Sequence, residues 1–133
     1  MTPAQRIRIA FKRHKTKEEN RLQDFIDKLG KISIPKLRRH GFTKLRDCYG
    51  DIYINESKRI VVKQPGCVCY RGIPRYAVPT IKYDSWWIQS LTDRSRKYKA
   101  ARELSRYACT SVGEDLGDNN CGYWKGVPVV FDW

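Results

Sequence analysis

Residues 42–64, FTKLRDCYGDIYINESKRIVVKQ, decide how the rest of the chain reads. Three short runs, around 43–48, 51–55 and 59–64, are rich in β-branched and aromatic residues. Such side chains suit a pleated, half-buried surface. Tyr49-Gly50 and Asn55-Glu56-Ser57 interrupt the runs with turn formers, so the stretch predicts a three-stranded antiparallel meander. Two further short strands are expected near Val68–Tyr70 and Tyr76–Val78, divided by Gly72 and Pro74.

Toward the N-terminus, residues 31–41 hold Pro35 and the cluster Lys36, Arg38, Arg39 and His40, which reads as a linker or a short helix after the proline. Before it, Thr16 and Glu19 have capping-box spacing. Leu22, Phe25, Ile26 and Leu29 then recur at i, i+3, i+4 and i+7, and Gly30 is a natural stop. A helix from about Lys17 to Leu29 is predicted, preceded by a basic segment that is either helical or a loose arm. Toward the C-terminus, helical structure is expected to resume after Pro79. The strongest candidate is 92–108, with Thr92 as N-cap, Tyr98, Ala101, Leu104 and Ala108 on one face, and Gly113 beyond its end. The tail 121–133 predicts two short strands around Lys125-Gly126.

The 133 residues suit one domain with a small appendage. A composition 41% hydrophobic and 12% aromatic excludes a disordered chain. The net charge of +13 calls for an anionic partner: nucleic acid, phosphate groups or an acidic protein surface. No apolar run reaches the roughly 18 residues of a membrane span, and the N-terminal MTPAQRIRIAFKRHK lacks a secretory core. Five irregularly spaced cysteines argue for a reducing compartment, hence the cytoplasm. Cys67-Val68-Cys69 lacks zinc-knuckle spacing, and His14 and His40 are isolated, so neither a zinc site nor a histidine-based triad is supported. The basic cluster at 36–39 and the basic face of 92–108 are the candidates for nucleic acid, with Tyr83, Trp86, Trp87 and Tyr98 available to stack on bases.

Two stretches carry a possible chemistry. Asp115 is followed five residues later by Asn120, then a predicted hairpin, then Asp132 at the end of the apolar run Val129-Val130-Phe131. Upstream, Tyr49-Gly50-Asp51-Ile52-Tyr53 enters a strand and Ile60-Val61-Val62-Lys63 ends one. Order and spacing resemble the protein kinases over about residues 42–133: a glycine turn, a third-strand lysine, a catalytic loop and a metal-binding aspartate. The likeness is nearest to small atypical kinase-like proteins of phage or bacterial type. It implies ATP and Mg²⁺ as cofactors. Lys63 would place a point charge on the phosphates, and Gly50 would let backbone approach them. Asn120 and Asp132 would be oxygen ligands of Mg²⁺, and Asp115 would accept or orient the acceptor hydroxyl. Taken singly, each residue also has a plain reading, a solvated lysine or a turn-forming Asp or Asn.

The departures are as definite. One glycine remains of the usual three, Gly113-Glu114 precedes Asp115, and Trp133 follows Asp132 in place of Phe-Gly. No Glu-bearing helix follows Lys63, and the predicted helix carrying Glu18 and Glu19 is expected to take its place. The fold expected is α+β: a truncated kinase-like core over 42–133 with a small antiparallel sheet, one long helix and a C-terminal catalytic-loop hairpin, after a basic helical extension over 1–41. The functional expectation is nucleotide binding with phosphate transfer to an acidic protein partner, in the host cytoplasm if phage-encoded. The alternative is a basic module binding nucleic acid or a host protein without catalysis.

Overall fold

The computed structural model describes residues 1–45, 51–64, 76–107 and 120–131. Helix α1 spans Pro3–Leu29, 27 residues without a break. Its capping box lies 14 residues earlier than Thr16 and Glu19 suggest. The Gln5 N–H donates to Thr2 Oγ1 (3.2 Å) and the Thr2 N–H donates to Gln5 Oε1 (2.8 Å). Pro3 follows the cap, where its missing N–H costs nothing. No Pro or Gly lies between Pro3 and Gly30 to stop the helix, so Thr16 is simply carried through it as an exposed residue.

Gly30, at φ 74°, ends α1 and donates its N–H to the Ile26 carbonyl. Lys36 then caps the freed carbonyls, its Nζ donating to Leu29 (3.0 Å) and Lys31 (2.9 Å). Lys36 belongs to α2 (Ile34–Arg39), opened by Ser33 with Pro35 in the first turn.

A five-stranded antiparallel sheet follows: β1 (Thr43–Lys44), β2 (Ile52–Asn55), β3 (Ile60–Lys63), β4 (Thr80–Tyr83) and β5 (Trp86–Ser90), in the order β1-β2-β3-β5-β4. The meander is therefore as predicted over its described residues. The stretch after Pro79 is not helical. Thr80-Ile81-Lys82-Tyr83 and Trp86-Trp87-Ile88-Gln89-Ser90 are β-branched and aromatic, and Asp84 takes φ 58° between them, so they close as a hairpin. The strand expected at Tyr76–Val78 is instead a single bridge: Val78 N–H donates to the Val130 carbonyl and Val130 N–H to that of Tyr76. The strand expected near Val68–Tyr70 lies outside the described residues.

Helix α3 runs over Lys97–Tyr107, starting five residues after Thr92. Asp93 exchanges both backbone hydrogen bonds with Tyr123 at 2.8 Å, which holds residues 92–93 extended and removes Thr92 as a cap. The Asp93 carboxylate instead accepts from the Ser95 N–H (2.9 Å). Tyr98 does not share the buried face with Ala101 and Leu104; Ala100 does. Strands β6 (Cys121–Trp124) and β7 (Val127–Val130) form the expected hairpin. Lys125 (φ 49°) and Gly126 (φ 76°) both take the positive φ of the tight hairpin turn.

The chain divides into two compact units. The sheet unit covers Glu18–Gly72 and Pro79–Leu91; the helix–hairpin unit covers Met1–Lys17, Ile73–Val78 and Thr92–Trp133. In the sheet unit, Leu22, Ile26 and Leu29 of α1 pack with Leu37, Tyr53, Val62 and Ile88. In the helix–hairpin unit, Ala100, Ala101 and Leu104 pack with Cys121, Tyr123 and Val130, while Phe11 joins Val78, Trp124 and Val129.

Candidate functional site

Strand alternation separates the two faces of the sheet. Tyr53, Ile60, Val62, Trp86 and Ile88 join α1 in the core of their unit. The register places Ile52, Lys63, Trp87 and Lys82 in one row across the opposite face, from β2 through β3 and β5 to β4. Ile54, Val61, Gln89 and Thr80 make the next row. Lys63 is only 8% exposed, and its Nζ stands 5.9 Å from the centroid of the Trp87 ring. Lys82 Nζ stands 5.2 Å from the same centroid. Gln89, 2% exposed, keeps its Nε2 donor without a hydrogen-bond partner among the described residues. A buried donor in that state costs free energy until something accepts from it. This face gathers two lysines on either side of one indole, with a buried amide beside them.

In the helix–hairpin unit the β6–β7 hairpin positions the second group of residues. Asn120 is half-buried, immediately before β6, and Phe131 immediately follows β7. The Phe131 N–H donates to the Asn120 carbonyl (2.9 Å), so the chain leaves the hairpin beside Asn120 just before it reaches Asp132. Arg94 stands 5.1 Å from the Phe131 ring and Arg96 4.5 Å from the Tyr123 ring. Arg94 thus puts positive charge beside the end of the hairpin, and Arg96 beside its middle. Gly122 makes the arrangement fit: a Cβ there would lie 2.5 Å from Thr92 Cγ2 and 2.6 Å from the Asp93 carbonyl oxygen. The Tyr123 hydroxyl is buried without a hydrogen bond of good geometry. Its pKa is pushed up to about 12, first by burial and then by the neighbouring Glu103 carboxylate.

Of the residues singled out in the sequence, Lys63 lies in the sheet unit and Asn120 in the helix–hairpin unit. Gly50, Asp115 and Asp132 lie outside the described residues. Glu18 is buried and its carboxylate accepts from Arg21, whose guanidinium also donates to the carbonyls of Lys58 (2.7 Å) and Arg59 (3.1 Å). Among the described residues no cluster of three or more His, Cys, Asp or Glu is placed to hold a metal ion. Magnesium in a nucleotide site asks for less, one or two side-chain oxygens completed by phosphates and water.

The residues missed in the sequence are Lys82 and Gln89, and Trp87 enters it only as a candidate for stacking on bases. The helical expectation after Pro79 hid them, since only a strand places Lys82 and Trp87 directly opposite each other and Lys63 in their row. Period-2 reading of 80–90 was the available signal. For stacking on bases, Trp86 and Trp87 are buried and Tyr83 is half-buried, whereas Tyr98 is 63% exposed. Lys36 is engaged in capping α1. No helix among the described residues is long and apolar enough to cross a membrane. Comparison with family models, with curated proteins and with solved structures finds no match to this chain.

Proposed function

We propose that the chain binds ATP with Mg²⁺ through a reduced protein-kinase-like core and transfers the terminal phosphate to a protein partner. The observation that carries the reading is the Phe131–Asn120 backbone hydrogen bond, which sets the residue before Asp132 beside Asn120. Asn120 and Asp132 stand twelve positions apart in the sequence, and Asp132 directly follows the bonded Phe131. That is the pair from which the kinase resemblance draws its magnesium ligands. Lys63 supports the reading from the other unit. It closes the third strand of the sheet, where the family carries its phosphate-binding lysine.

Within this reading Asn120 and Asp132 would hold the metal, which would supply charge neutralisation on the phosphates. The resemblance gives Lys63 the phosphate-binding position, and Asp115 would accept the proton of the acceptor hydroxyl as its oxygen bonds to the γ-phosphorus, the bond from that phosphorus to the bridging oxygen breaks and ADP leaves with the bridging oxygen. Thermal denaturation with and without MgATP tests the binding step. A nucleotide bound only by the folded protein raises the midpoint, by about 2.7 kcal/mol of stability at a hundredfold excess over Kd. The rise is expected in the wild type, reduced in Lys63→Met and absent in Asp132→Ala. A wild-type midpoint indifferent to MgATP refutes the reading.

A further inference from the structure

The exposed face of α3 is used by nothing in the nucleotide reading, and its chemistry is specific. Ala100, Ala101 and Leu104 turn inward. Tyr98, Arg102 and Arg106 follow one another at intervals of four residues, so they form a single stripe along the helix with about 6 Å between successive positions. All three are exposed. Tyr98 is the one Phe, Tyr or Trp among the described side chains that is open to solvent, at 63%. The exposed ring packs in no core, and a cation stands over it. Lys97 Nζ lies 5.4 Å from its centroid. Beside the stripe, Lys99, Arg102, Glu103 and Arg106 line an open groove of about 290 Å³. The single carboxylate there, Glu103, is answered by Lys99 at 3.9 Å. The same unit contains the first 17 residues, which hold Arg6, Arg8, Lys12, Arg13, Lys15 and Lys17 and no carboxylate.

From this juxtaposition we infer that the α3 face binds single-stranded nucleic acid, with Tyr98 stacking on an unpaired base and Arg102 and Arg106 meeting successive phosphates. Charge complementarity selects a polyanion. The exposed ring selects among polyanions, because every unpaired base offers a face to stack on and an acidic polypeptide does not. The inference stands apart from ATP binding: it uses no residue of the nucleotide site.

The test is fluorescence anisotropy of the full chain with a labelled oligothymidylate of about 20 nucleotides over a series of salt concentrations. Saturable binding is expected, with log K falling against log salt at a slope of about −2 or steeper. Tyr98→Ala should weaken binding about tenfold with the slope unchanged, while Tyr98→Phe, which keeps the ring, should bind as the wild type does. The double variant Arg102→Gln/Arg106→Gln should make the slope shallower by about 1.4. Circular dichroism of each variant confirms that the solvent-facing changes leave the fold intact. Absence of binding at low salt overturns the inference, as does binding that Tyr98→Ala leaves unaltered. Displacement by polyglutamate as effective as by unlabelled oligonucleotide, at matched charge, also overturns it and points to an acidic protein instead.

Discussion

The sheet unit and the helix–hairpin unit are built in different ways from the same chain. The sheet unit is joined mostly by neighbours in sequence: β2 to β3 and β4 to β5 are hairpins, and Asn55 ties the turn between β2 and β3 to the end of α2. Its Oδ1 accepts from the Lys58 N–H and its Nδ2 donates to the His40 carbonyl. The helix–hairpin unit draws on segments separated by dozens of residues: the start of α1, the bridge at Ala77, α3 and the β6–β7 hairpin. Their fillings differ as well. Leu22, Ile26, Tyr53 and Ile88 fill the first with bulk, whereas Ala100, Ala101, Cys121 and Gly122 bring backbones close in the second. Both units mix signs, but in the helix–hairpin unit the segment before Glu18 is wholly cationic and α3 is nearly so. A unit assembled from distant segments by close approach leaves its outer helix faces polar and positive, and these faces are what a polyanion would meet.

The sharpest way to break this comparison is to empty one core at a time. Leu22 and Leu104 are both fully buried, one in each unit, and truncation of either to Ala should cost about 2–5 kcal/mol. Denaturant unfolding of Leu22→Ala and Leu104→Ala, followed by tryptophan fluorescence, distinguishes two outcomes. Coincident loss of all signals means one cooperative structure; a separate early transition in only one variant means the units unfold singly.

A smaller effect belongs to the helix–hairpin unit alone. The Tyr123 pKa rises from 10.0 to about 12 on folding. A folded-state pKa above the unfolded one stabilises fully below pH 10, and that contribution disappears as pH climbs through about 12. Tyr123→Phe should therefore lose less stability than the wild type between pH 10 and 12. Equal pH dependence in both proteins would contradict the burial assigned to this ring.

Gly122→Ala should cost about 1–3 kcal/mol, since its methyl would drive Thr92 and Asp93 apart from β6. Urea midpoints measure it, and a neutral result would mean that the Asp93–Tyr123 bridge is not the joint described above. The smallest expected change is Thr2→Ala, about 1 kcal/mol from loss of the α1 cap. It should appear as fraying of the first turn by amide exchange, leaving the sheet unit untouched.

Local signals were read correctly where nothing distant competed with them. The Lys125-Gly126 turn, the alternation through 52–63 and the stripe from Leu22 to Leu29 each depend on residues within a turn or two of one another. The misreadings share one cause. Thr92 has the chemistry of a cap but is held extended by Tyr123, thirty-one positions away. Thr16 has a capping partner at the right spacing, yet a helix already running from Pro3 has no reason to restart. Trp86 and Trp87 look like entrants to a helix until β3 supplies a strand to pair with.

By itself the amino-acid sequence determined the mixed α and β character, the positive charge, the meander and the closing hairpin, because propensity, turn chemistry and net charge are properties of neighbouring residues. Tertiary structure alone decided that Lys63 shares a row with Trp87 and Lys82, that the chain after the hairpin returns to Asn120, and that Tyr98 faces solvent. Each of those depends on strand register or on which helix face the core accepts, and both are settled by packing between segments that no local pattern connects.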